Sequence, residues 1–197
     1  MGWLKSLWQL LRNPSSKIPL GVLVVGGGVA GIIFIGTLHF GLAYTNTMEF
    51  CVSCHSMKFP YEEYKESPHY QNQSGVRATC ADCHVPHDKY FTGWLDKMWA
   101  KIYAAKDVYH EILGTASTKE KFEAHRWTMA NRVWDKMRAR GSKECLHCHN
   151  FEFMDFGTQD RMASKRHKKA IEKGEHCIDC HKGIAHEEPD EPEEDEE

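Results

Sequence analysis

No cysteine in this 197-residue chain stands alone. All eight fall into C-x-x-C pairs, and no pair lacks a histidine directly after it. The sets are Cys51 and Cys54 with His55, Cys80 and Cys83 with His84, Cys145 and Cys148 with His149, and Cys177 and Cys180 with His181. That absence of stray cysteines bears on three chemistries. A disulfide framework, a pair of zinc sites and a thioredoxin-like redox centre all use such cysteines, but none requires a histidine after every second one. Charge is missing as well: no Lys, Arg, Asp or Glu occurs from Ile18 to Met48. Outside that run the chain is poor in aliphatic residues, which a domain of this size normally needs to offset its conformational entropy. No segment shows convincing strand alternation. Something other than aliphatic side chains is expected to fill the middle of the fold.

What is present, four times, is the attachment signature of c-type heme. Two thioethers tether one porphyrin, and the adjacent histidine reaches the iron as an axial ligand. Four covalently bound hemes c account for every cysteine. Each iron takes a second ligand, and the histidines outside the motifs are His39, His69, His87, His110, His125, His147, His167, His176 and His186. His69 lies 11 positions before Cys80, His167 lies 10 before Cys177, and His87 and His186 close the two halves. This reads as an internal duplication, two diheme modules in tandem, and it favours His69, His87, His167 and His186 as ligands. His87 is three positions from His84 and so must serve a different heme. His125, in the middle of an expected helix, is held in reserve, and His39 is read as structural. Met57, two positions beyond His55, is either packing or a thioether ligand in place of His55.

Residues 1–17 carry Lys5, Arg12 and Lys17 and no acid, with Trp3, Leu4, Leu7, Trp8 and Leu11 at helical spacing. They are expected to form a short interfacial helix ending near Pro14. Residues 18–44 are long and apolar enough to span a bilayer, and their glycines suit a transmembrane helix. The basic flank puts the N-terminus in the cytoplasm and the rest outside. The long apolar run without a clean A-x-A site favours an anchor over a cleaved signal. Gly27-x-x-x-Gly31 matches a helix-packing pattern, a weak pointer to a homo-oligomer. Residues 45–186 form the heme domain, and 187–197 an acidic tail expected to be disordered. Setting aside the tail's nine acids turns the formal charge from −3 to +6. Heme propionates offset that, so no nucleic-acid role follows. Two longer helices, about Tyr90 to Leu113 and Thr118 to Arg140, are expected between the halves, the first stopped by Gly114. The second has Ser117 as its cap and Glu120 at capping-box spacing. The fold class is mainly α: one N-terminal transmembrane helix plus a small multiheme domain of short helices and loops.

An N-terminal anchor followed by EFCVSCHSM, SGVRATCADCHVPH, KFEAHR, CLHCHNFEFMD and HCIDCHKGIAH resembles the NapC/NirT family of membrane-bound tetraheme cytochromes c, most nearly its NapC branch. The resemblance covers nearly the whole chain short of the tail. It implies a quinol-oxidising protein of the bacterial inner membrane with its hemes in the periplasm. Menaquinol or ubiquinol is the donor, and a periplasmic reductase, nitrate reductase for that branch, is the acceptor. It also implies that the first heme takes Met57 and that Asp107, in AAKDVYHEILG, stands near its open face. The accompanying lysine stands six or seven positions earlier in relatives, which is Lys101 or Ala100 here. Three other readings compete: donation to nitrite or another reductase, a terminal multiheme reductase, and a passive electron relay without a quinol site. All four motifs end in histidine, which disfavours the terminal reductase.

Overall fold

The computed structural model describes residues 2–12, 17–87 and 90–192. It divides into two compact units, Met1–Thr45 and Asn46–Glu197.

In the first unit, α1 is Gly2–Arg12 and α2 is Leu20–Tyr44. The sequence of α1 places Lys5 among Trp3, Leu4 and Trp8, all exposed; its expected end near Pro14 lies outside the described residues. The 25 residues of α2, at about 1.5 Å per residue, give a rod of about 37 Å, longer than the roughly 30 Å hydrocarbon core of a bilayer. Residues Gly21–Tyr44 meet the length and composition of a membrane span, with none of their most apolar stretch buried inside the protein. Gly27 and Gly31 sit one turn apart, and a Cβ added to either would meet nothing within 4 Å.

The second unit contains α3 (Met48–Cys51), α4 (Lys58–Lys65), α5 (Cys80–His84), α6 (Tyr90–Ile112), α7 (Lys119–Ala139), α8 (Lys143–Leu146), a 3-10 turn at Phe151–Phe153, α9 (Arg161–Lys173) and α10 (Cys177–Cys180). Among the described residues there is no strand. Three of the shortest helices, α3, α5 and α10, begin or end on motif cysteines. A single helical turn puts residues i and i+3 on one side, which is what two thioethers to one porphyrin require.

Polar caps fix where these turns begin. Thr47 Oγ1 accepts from Phe50 N at 3.2 Å ahead of α3. Asp82 Oδ2 accepts from both Thr79 N and Thr79 Oγ1 at 2.6 Å, holding the start of α5. Helix α7 starts from Thr118, whose Oγ1 accepts from Lys121 N at 3.3 Å. That corrects the expected cap, Ser117, whose hydroxyl is turned back to donate to Gly114 O at 3.0 Å. Gly114, beyond α6, takes the left-handed φ of +68° expected of a stop.

Few apolar side chains are buried. Among the described residues they are Tyr64, Ala81, Phe122, Trp134 and Ile178. Much of the order comes instead from one ionic clamp. Arg126 of α7 forks onto Glu63 of α4 and onto Glu123, and its Nη1 also donates to Glu187 O at 3.3 Å. Glu63 Oε2 in turn accepts from Glu187 N at 3.0 Å. The clamp therefore fastens the chain after the fourth motif to two helices. Glu187 and Glu188 are held, the latter facing Lys182 at 3.9 Å; residues 193–197 of the expected disordered tail lie outside the described residues.

Burial raises the Glu63 pKa, but the Arg126 and Glu187 hydrogen bonds and the Arg126 charge outweigh it and bring the carboxyl below its ordinary 4.5. A depressed acid contributes its stability above the unfolded value and loses it as pH falls through the folded value. The clamp is thus at full strength at neutral pH and released only in acid. Arg126→Ala leaves the mostly buried Glu63 without its counter-ion, and is expected to cost about 3 kcal/mol. Thermal unfolding of the holoprotein at pH 7 checks this, and the loss should shrink toward pH 4.

Candidate functional site

The two halves share one internal wiring. In the first, Cys80 N donates to Met48 Sδ at 3.3 Å, and Met48 stands three residues before Cys51. In the second, Cys177 N donates to Ser142 Oγ at 3.1 Å, and Ser142 stands three residues before Cys145. Within each half the first cysteines of the two motifs also lie together, Cys51 with Cys80 and Cys145 with Cys177. Ser142 carries a cost for this: it is 1% exposed and is the non-glycine residue with a left-handed φ, +53°, among those described. Neither Met48 nor Ser142 stood out in the sequence. Aligning the halves on their first cysteines would have found the shared offset.

The histidines pair across the chain. His84 faces His186 with ring centres 6.2 Å apart, His149 faces His69 at 6.3 Å, and His181 faces His167 at 5.9 Å. Two metal–nitrogen bonds of about 2 Å each, with the nitrogen-to-centre distance added on both sides, put two imidazoles on one iron about 6 Å apart. All three pairs fit heme c by this measure. Desolvation by the surrounding protein pushes His84 down to about 4. Desolvation also lowers His186. A neutral ring is the form that binds metal.

The outer nitrogens are held too. His186 Nδ1 meets Pro60 O at 3.0 Å, His167 Nδ1 meets Gln159 Oε1 at 2.7 Å, and His69 Nδ1 meets Ile184 O at 3.3 Å. Such outer bonds orient a ligating ring. Two of the three pairs join the halves, so modules that are tandem in sequence are interlocked in space. His87 is elsewhere. It stacks on His147 at 4.9 Å and 15°, with Nε2 3.2 Å from Ala81 O and 3.6 Å from Asp82 Oδ1. The reserve His125 is exposed, with Nδ1 2.8 Å from Lys121 O.

The first motif is built differently. His55 is exposed, and Met57 follows as the residue before α4. A carboxylate from α6 grips the turn between them. Glu111 Oε1 accepts from His55 N at 2.7 Å and Ser56 N at 3.3 Å, and Oε2 accepts from Ser56 Oγ at 2.5 Å. Burial raises its pKa, but these bonds more than offset that and hold it below the ordinary value. Lys101, on the same helix, lies near Cys51, and burial lowers its pKa. Asp107 lies between them in sequence, one turn before Glu111, and is exposed. The role of Glu111 went unseen because its partner is 56 positions away and an acid on an exposed helix carries no spacing signal.

Two outcomes are expected. Glu111→Ala frees the His55 and Ser56 amides, so their hydrogen exchange should quicken about tenfold or more, consistent with losing hydrogen bonds to a charged carboxylate worth about 1.5–3 kcal/mol. Replacing His69, His167 or His186 singly by alanine should convert one heme from low to high spin in the electron paramagnetic resonance spectrum, with heme content unchanged.

The chain matches the NapC/NirT cytochrome c family, N-terminal region, over residues 13–191. It is 54% identical to a protein of Allochromatium vinosum described as a tetraheme cytochrome-c type, covering 90% of this chain and 91% of that one. It is 50% identical to the cytochrome c-type protein NapC of Escherichia coli K12, over 96% of this chain and 92% of the relative. It is also 50% identical to the denitrification system component NirT of Stutzerimonas stutzeri, over 92% and 88%. No solved structure matches it.

Proposed function

The chain belongs to the NapC/NirT cytochrome c family, and from that we propose that it oxidises menaquinol or ubiquinol beside the first motif and delivers the electrons to a periplasmic reductase, nitrate reductase first. At the coarser level it is a single-pass inner-membrane multiheme electron-transfer protein carrying heme c. The finer reading has four covalent hemes, one per motif, in the periplasm. Their axial pairs are His84 with His186, His149 with His69, and His181 with His167, and His55 or Met57 serves the first. The basic residues Lys5, Arg12 and Lys17 ahead of the span support that orientation.

The observation that carries the quinol site is the approach of α6 to the first motif, with Glu111 on the His55–Ser56 turn and Lys101 near Cys51. Asp107 lies on the helical segment between them, and the motif begins seven residues after Tyr44. When bound there, the heme supplies one-electron acceptance. The chain supplies the rest. The Asp107 carboxylate takes a proton from a quinol hydroxyl. Lys101, whose ammonium burial has made more acidic, donates to a quinol oxygen. Trp99, Ile102 and Tyr103, exposed on α6, give an apolar wall suited to the membrane interface. The equal identity to a denitrification component supports a denitrification reductase as the second acceptor to test.

Asp107→Asn should abolish reduction by a menaquinol or ubiquinol analogue, followed at the heme α-band, by at least about a hundredfold, in the range that general-base loss costs. Dithionite should still reduce every heme. Wild-type protein that neither quinol reduces would sink the reading and leave a passive relay.

A further inference from the structure

Helix α9 has two unlike faces. Ala163, Ser164, His167 and Ala170 are partly covered, at the spacing of one helical side, whereas Arg161, Lys165, Arg166, Lys168, Lys169 and Lys173 are exposed. Glu172 is the one acid within the helix. None of its thirteen residues is buried, so the helix contributes little to a core. Its covered side carries His167, which faces His181 of the fourth motif. The helix is held in place by Asp160, whose Oδ1 accepts from Met162 N at 2.8 Å and Ala163 N at 3.3 Å, and by the left-handed Gly174.

We infer that the outer face of α9 is where the chain docks the acidic face of a soluble electron acceptor, placing it over the fourth motif. A helix with its side chains is about 10–12 Å across, so a partner on the cationic side stands one helix width from His167. A concentrated single-sign field of this kind steers an oppositely charged partner and speeds encounter, and electron-transfer complexes manage with small interfaces. The site rests on the reading of the chain as an electron donor but not on the quinol site. Two other occupants compete, anionic lipid headgroups and the chain's own acidic end.

The test starts from dithionite-reduced protein, so a failed quinol site cannot affect it. Reoxidation is timed with ferricyanide and, separately, with hexaammineruthenium(III), and binding of a labelled deca-glutamate peptide is read by fluorescence anisotropy. In the variant Lys165→Gln, Lys168→Gln, Lys169→Gln, oxidation by ferricyanide should slow about fivefold at low salt and peptide binding weaken by a similar factor. The ruthenium rate should hold or rise, and the salt dependence should flatten. Equal responses to both oxidants and unchanged peptide binding would overturn the inference. So would loss of the wild-type ferricyanide advantage in nanodiscs of anionic lipid, which would place α9 on the membrane. Peptide binding that appears only after Glu193, Glu194, Glu196 and Glu197 are changed to Gln would assign the face to the chain's own end.

Discussion

An imidazole pair about 6 Å apart has room for one metal between its rings, and in this protein the partners are far separated along the chain. His69 and His149, and His84 and His186, come from opposite halves. That long-range matching constrains the fold more than its sparse apolar core does. The Arg126 clamp serves it directly, because Glu187, which the clamp holds by both its amide and its carbonyl, is next to His186. Ile184 O, two residues earlier on the other side, meets His69. One short segment after the fourth motif thus positions one histidine in each of two separate pairs.

The signature for heme c was legible because it is local. A C-x-x-C-H run needs no fold to be recognised, and a span without charge announces itself. The two long helices were also readable, apart from the shift from Ser117 to Thr118 at the start of α7. The list of spare histidines was legible but their pairing was not, since spacing says which rings are available and not which loop crosses which. His87 shows the limit. It occupies the position that closes the first half, as His186 closes the second, yet it lies against His147 and Asp82. Glu111, Ser142 and Met48 were invisible for a related reason. Each acts on a backbone amide more than thirty positions away.

Energetically the two halves solve one problem with different atoms. Each ties the first cysteine of its second motif to the residue three before the first cysteine of its first motif, through a thioether in one and a hydroxyl in the other. The hydroxyl is the stronger acceptor, and it is the one that accompanies a strained backbone, at Ser142. Strain persists only where its surroundings hold it, and here a buried hydrogen bond does so. The first half, with its weaker sulfur acceptor, gains instead the Glu111 grip from α6.

The crossing of these pairs also imposes an order on folding. The chain is made N-terminus first, so His84 is synthesised 102 residues ahead of His186, and His69 precedes His149 by 80. The first half must therefore wait for its histidine partners, and its pairing is settled late, by the segment that carries His186. A stalled chain would hold unmatched imidazoles, open to the wrong metal, rather than a smaller version of the same fold.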